Sequence, residues 1–190
     1  MRLGIFGGTF NPIHWGHLVL AESAREQLRL DRVLFVPASQ PPHKTARGVL
    51  PGSVRLKLVQ LAIQDNPAFA ASEIELQRGG VSYSIETVRI LKRKWPTTKL
   101  FLLIGEDMLA VRWLAWDELK RLCTIAVVPR PGSHPSRRER SLTTLHMPPI
   151  DISSSQIRAR LHAGRSIRYL VPRTVERYLH QHSLYQRARS

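Results

Sequence analysis

One cysteine, Cys123, stands in the whole chain, so no internal disulfide can form and no paired-cysteine metal site exists. Acidic residues are also scarce, 14 against 29 lysines and arginines, leaving a formal net charge of +15. No apolar run approaches the roughly 20 residues needed to cross a bilayer. The N-terminal residues lack the basic-then-apolar pattern of a secretory leader, because glycines and a polar turn arrive by residue 7. These absences place the chain in the cytoplasm, with no membrane partner expected.

Several signatures of chemistry are missing as well. There is no H-E-x-x-H, and the histidine pair His14 and His17 has no companion ligands at metal-binding spacing. There is no G-x-x-x-x-G-K-[ST], and "GIFGGTF" does not fit G-x-G-x-x-G. Zinc chemistry, P-loop phosphoryl transfer and dinucleotide-dependent hydride transfer all lose ground. Zinc-finger spacing, a basic zipper and an aromatic ribonucleoprotein motif are absent too, so a dedicated nucleic-acid reader is not indicated.

What is present is a regular alternation. "RLGIFG", "RVLFVP", "KLFLLIG" and "CTIAVVPRPG" read as buried strands, with amphipathic helical stretches between them. A helix is predicted from Gly16 to Leu30, another from Ser53 to Gln64 with Val54, Leu58, Leu61 and Ala62 inward, and another over "SYSIETVRILKRKW". "AFAASEIEL" reads as a third, more exposed strand near an edge, and residues 106 to 121 as helical with a break around Trp113. A short strand is expected between Leu142 and Met147. Two terminal helices follow, the first closed by Gly164 and the second opened by Pro172. The pattern predicts an α/β fold, an open doubly wound parallel sheet, with residues 151–187 as a helical C-terminal part of one domain spanning 1–190.

In such sheets ligands bind beyond the carboxyl ends of the strands, where strand order reverses. The segments "GGTFNPIHWGH", "VPASQPPHK", "IGEDM" and "VPRPG" all fall there. Gly7 and Gly8 let backbone approach a ligand closely, and the helix beginning near Gly16 directs its positive end to the same place. His14 and His17 admit three readings: metal ligands, satisfied core residues, or phosphate contacts. The third fits best, because imidazole N–H groups at a helix N-terminus suit an anion. "ISSSQIRARL" supplies a second candidate, three hydroxyls at a helix start with Arg158 close behind; an ordinary N-cap is its plain reading. Residues 130 to 190 carry twelve arginines and three acids, a surplus of nine of the fifteen net charges. Such a balance suits anionic partners or a solvated basic surface.

Together "GGTFNPIHWGH" and "ISSSQIR" resemble the paired H-x-G-H and I-S-S-T-x-I-R signature of the nucleotidylyltransferase superfamily. "VPASQPPHK", "SYSIETV", "IGEDM" and "RPG" resemble, in order and spacing, its bacterial nicotinate-nucleotide adenylyltransferase branch. The resemblance covers nearly the whole chain and implies transfer of AMP from ATP to nicotinate mononucleotide. Nicotinate adenine dinucleotide and pyrophosphate would be the products, with Mg²⁺ carried by ATP and no dedicated protein ligands for the metal. It implies that His14, His17 and Arg158 are catalytic. Gly7, Gly8, Thr9 and Phe10 would lie along the nucleotide, Gly105 and Asp107 would hold the adenosine, and Ile152, Ser153, Ser154 and Ser155 would meet the triphosphate with Arg158. Ser39, His43, Lys44, Ser84, Trp113 and Arg130 would bind substrate, with Trp113 stacking on the pyridine ring in preference to Trp116, whose phase with Leu119 and Leu122 reads as core. No nucleic-acid partner is implied, and a homo-oligomer is allowed. Nicotinamide mononucleotide or phosphopantetheine are the alternative acceptors, and a basic nucleic-acid-binding protein is the less favoured alternative reading. Position 11 is Asn where the family usually has Asp, so any role of that carboxylate is not carried over.

Overall fold

The computed structural model describes residues 1–41, 48–128 and 142–186. The strands are β1 (Arg2–Gly8), β2 (Arg32–Pro37), β3 (Phe69–Ala71), β4 (Lys99–Gly105), β5 (Thr124–Val128) and β6 (Thr143–Thr144). The helices are α1 (Trp15–Gln27), α2 (Gly52–Ile63), α3 (Ile74–Arg78), α4 (Ser84–Lys94), α5 (Trp116–Leu122), α6 (Ser154–His162) and α7 (Arg173–Gln181). A tight helical turn, Glu106–Ala110, follows β4 directly. The strands pair in the order β3-β2-β1-β4-β5-β6, every neighbour parallel. This is the doubly wound α/β sheet that the alternation predicts, and its order reverses between β1 and β4.

Both faces of the sheet are covered, which is why its strands read as unbroken apolar runs. Along β4, Phe101 and Leu103 join a core cluster with α1, α2, α6 and α7, while Leu100, Leu102 and Ile104 join a second with α4 and α5. The terminal helices α6 and α7 bury Ile157, Leu161, Val175 and Leu179 in the first cluster, so they are part of the main core. Cys123 is buried, and burial pushes its thiol up to about 12, leaving it protonated and inert.

The segment "AFAASEIEL" departs from expectation. Only Phe69–Ala71 is strand, at the sheet edge, and Ile74–Arg78 coils into α3. The alternation of Glu73, Ile74, Glu75 and Leu76 imitates a strand. Glu75 is nevertheless buried, accepting a hydrogen bond of 2.6 Å from the Thr87 hydroxyl on α4, and the backbone turns to bring it there. The predicted break around Trp113 extends from 111 to 115, closed by Ala115 in left-handed backbone (φ 54°). The inward face of α2 is Arg55, Leu58, Val59 and Ile63, with Val54, Leu61 and Ala62 only partly covered. An arginine was not expected there.

Candidate active site

The sheet opens its own cavity. β1 and β4 pair only from Arg2↔Lys99 to Ile5↔Leu102, whereas β1 stays paired with β2 as far as Gly8↔Pro37. Beyond Ile5 the two central strands part, and a cavity of about 300 Å³ lies between their carboxyl ends. Gly7, Gly8, Thr9, His14, Gly16 and His17 line one side, and Ile104, Gly105, Asp107 and Met108 another. Ser82, Tyr83, Ser84, Trp113 and Ile152 complete much of the remainder.

The glycines have separate reasons. A Cβ on Gly7 would meet nothing within 4 Å, so the space it would enter is that of the cavity. On Gly8 it would come within 2.9 Å of the Phe10 ring, which folds back over the strand end with Phe10 in left-handed backbone (φ 47°). On Gly16 it would meet His14 Nδ1 at 3.1 Å, so the glycine between the histidines makes room for the first ring. On Gly105 it would strike Asp107 Oδ1 at 2.5 Å; the carboxylate lies across the end of β4.

His14 is the N-cap of α1 and His17 its third residue, paired as a capping box. The His14 backbone N–H donates to His17 Nδ1 at 3.2 Å. That nitrogen must therefore be unprotonated, which puts the ring proton on Nε2 and makes Nε2 the donor. The rings stack with centroids 3.8 Å apart, and His17 also meets Phe10 edge-on at 5.1 Å. No acidic residue occupies the first turn of α1, which keeps that helix terminus attractive to anions.

The carbonyls of the turn between β1 and α1 are drawn away by donors from elsewhere. Gly8 C=O accepts from Ala38 N–H (2.9 Å), Thr9 C=O from Arg55 Nη1 (2.9 Å), Asn11 C=O from Arg158 Nη1 (2.9 Å), and Pro12 C=O from Ser154 Oγ (2.8 Å). Carbonyl oxygens aimed at the cavity would repel a phosphate; these partners hold them elsewhere. This accounts for the pairing of the two sequence motifs: Ser154 and Arg158 on α6 brace the histidine turn directly. Ser153 is the N-cap of α6, accepting from Gln156 N–H at 3.2 Å, and Ser155 Oγ accepts from Arg158 Nη2 at 3.2 Å.

Asn11 uses both ends of its amide. Nδ2 donates to Gly48 C=O at 3.0 Å, and Oδ1 accepts from Leu50 N–H at 3.0 Å and from the Tyr185 hydroxyl. A carboxylate at position 11 could not make the first bond, so asparagine suits this turn. Burial raises the Tyr185 hydroxyl above its ordinary range, so it stays a donor; Arg158 and Arg55 act in the opposite sense.

Of the substrate-side residues named from sequence, Ser84 and Trp113 line the cavity. The Trp113 indole N–H is tied to Met108 C=O at 2.7 Å, while Trp116 packs beside it against the second core cluster. Ser39 lies behind the lining, its N–H donating to Ser82 Oγ at 2.8 Å. His43, Lys44 and Arg130 fall outside the described residues. Arg55, Glu75 and Arg112 were missed: the first two are charged residues turned inward on helices α2 and α3, and Arg112 stands just before Trp113.

Known proteins resemble this chain over most or all of its length. Residues 5–160 match the cytidylyltransferase-like family. A Thermus thermophilus protein named as a probable nicotinate-nucleotide adenylyltransferase is 43% identical over 188 residues, covering 98% of this chain and all of that one. One from Citrifermentans bemidjiense with the same name is 42% identical, with both chains covered in full. The fold is similar to that of Plasmodium falciparum nicotinic acid mononucleotide adenylyltransferase solved with NaAD, at a TM-score of 0.78 and 16% identity over 97% of each chain. With its sheet, its paired motifs and its full-length relatives, the chain belongs to the nicotinate-nucleotide adenylyltransferase family of nucleotidyltransferases.

Proposed function

We propose that the cavity between the parted ends of β1 and β4 is where this chain joins ATP to nicotinate mononucleotide. A phosphate oxygen of the mononucleotide attacks the α-phosphorus of ATP. The new O–P bond forms as the bond from that phosphorus to the α–β bridging oxygen breaks, and pyrophosphate leaves with the electron pair. The substrate provides the nucleophile, so the protein's part is positioning and charge stabilisation. What supports the reading is one juxtaposition. His14 and His17, the Gly105–Asp107 corner, and Ser84 with Trp113 come from distant segments and line a single cavity.

The roles follow from position. His17 donates from Nε2 to the α-phosphate region, and His14 shapes the same wall from the helix cap. Gly7 leaves room for the nucleotide, and Asp107 meets the adenosine. Arg158 braces the turn through Asn11 C=O and adds positive charge beside the triphosphate. Among the described residues no three His, Cys, Asp or Glu side chains form a metal cage. Mg²⁺ takes oxygen ligands and would arrive on the substrate phosphates, with the Asp107 carboxylate in the same cavity lining. Mg²⁺ bound that way would offset charge on the leaving pyrophosphate.

The direct test is incubation of the pure protein with ATP, Mg²⁺ and, separately, nicotinate mononucleotide, nicotinamide mononucleotide or phosphopantetheine, with products identified by mass. The adenylylated product of nicotinate mononucleotide is expected to form fastest. No adenylylated product with either pyridine mononucleotide would end the proposal. Trp113→Ala is expected to raise KM for the mononucleotide about tenfold, the scale of one lost stacking contact, with KM for ATP little changed. Trp116→Ala, by contrast, should leave both KM values near those of the parent; the reverse pattern would reassign the stacking residue.

A further inference from the structure

The turn that carries the histidines is held from behind by a side chain outside every motif. Arg55, in the first turns of α2, is only 1% exposed, and no fully buried side chain of the described residues is larger. Its guanidinium donates to main-chain carbonyls from three separate segments. Nε reaches Leu50 at 2.9 Å, Nη1 reaches Thr9 at 2.9 Å, and Nη2 reaches Ala38 at 2.7 Å and Ser39 at 3.4 Å. Thr9 and Ala38 both line the cavity, so the guanidinium sits one layer behind its wall. Among the described residues no carboxylate pairs with Arg55.

Carbonyl dipoles solvate a buried charge without neutralising it, and a buried cation lacking a counter-ion is costly. Burial lowers the pKa of Arg55, yet a guanidinium stays protonated in proteins. Such an arrangement would be hard to retain for loop joining alone, because apolar residues could fill the same volume. It becomes reasonable where an anion docks one layer away.

We propose that Arg55 is a positioning residue for adenylyl transfer: it turns the Thr9 carbonyl from the cavity and sets a fixed positive charge behind the turn, for which the triphosphate of ATP is the counter-ion. The inference rests on reading the Thr9–His17 turn as the phosphate site. Arg158 treats Asn11 C=O in the same manner from α6, so two guanidiniums from different helices shape one anion wall. The fork geometry does the orienting and the charge does the attracting, and the two can be separated.

Two substitutions separate them, each assayed on folded protein below its melting temperature. Arg55→Met removes both charge and fork; ATP affinity by calorimetry with Mg²⁺ is expected to fall at least tenfold, with KM for nicotinate mononucleotide within threefold of the parent. Arg55→Lys keeps the charge but cannot span three segments. It is expected to hold ATP affinity within threefold while kcat falls about tenfold. Equal losses toward both substrates in either variant, or normal ATP affinity in Arg55→Met, would overturn the proposal. Should Arg55→Met not fold, the lysine variant decides alone, and a tenfold loss of its ATP affinity is the refuting result. His17→Ala serves as control. Unimpaired turnover there defeats the phosphate reading itself, whereas lost turnover there with parental behaviour in both Arg55 variants defeats only this inference.

Discussion

His17→Ala is expected to lower turnover by about 10²- to 10³-fold, the usual scale for deleting one preorganised donor to developing charge. The ring is placed by several contacts at once. His14 N–H fixes its Nδ1, the His14 ring lies against its face at 3.8 Å between centroids, and Phe6 and Phe10 flank it. A donor held in this way need not reorganise as the α-phosphorus is attacked, which is why its loss should appear in kcat. Alanine also removes one half of the capping box. That costs about 1 kcal/mol, or a fall in melting temperature of about 2–4 °C for a chain of this size. Rapid-quench single-turnover assays and thermal melts measure the two effects separately. A near-parental rate would show that His17 is part of the helix cap and nothing more.

Gly7→Val should abolish measurable ATP binding while leaving the fold as stable as before, or slightly more so. Glycine within a strand is unfavourable by roughly 0.5–1 kcal/mol relative to alanine, and β-branched residues suit strands. Since a Cβ at Gly7 meets nothing within 4 Å beyond its chain neighbours, the new side chain starts into the space proposed for the nucleotide. Ligand titration with melting curves decides the matter: lost ATP binding at an unchanged or raised melting temperature is expected. Retained binding would place the nucleotide elsewhere. Gly8→Ala offers the opposite signature. Its methyl would press on the Phe10 ring at 2.9 Å, so stability should fall first.

How much of this was legible in the sequence differs by the range of the interaction involved. The strands β1, β2, β4 and β5 were readable because a doubly covered sheet demands apolar residues on both faces, and that demand is local. The helix ends at Gly164 and Pro172 were readable for a similar local reason, since glycine admits the left-handed backbone that closes a helix (φ 66° at Gly164) and proline fixes its own φ. The phosphate reading of the histidine pair came from a short-range pattern, two imidazoles at a helix start.

The misread elements share a cause in long-range packing. The segment at Ile74–Arg78 alternates like a strand, yet Thr87 on α4 draws Glu75 inward and the chain coils. Arg55 shares helical spacing with Leu58 and Val59, but a guanidinium without a visible partner reads as solvated. Only when three segments converge do their carbonyls make a burial site for it. The serines of "ISSSQIR" look equivalent along the chain. In the fold Ser153 caps α6, Ser154 reaches back 142 residues to Pro12, and Ser155 receives Arg158.

The sequence by itself determined the layered α/β architecture and the family, because periodicity and motif spacing are properties of neighbouring residues. Tertiary structure alone decided which carbonyls turn away from the cavity, that the Asn11 amide joins Gly48, Leu50 and Tyr185, and that Arg55 lies behind the wall. Those outcomes depend on donors and acceptors brought together across as many as 174 positions, where α2, α6 and the residues after α7 converge on the end of β1.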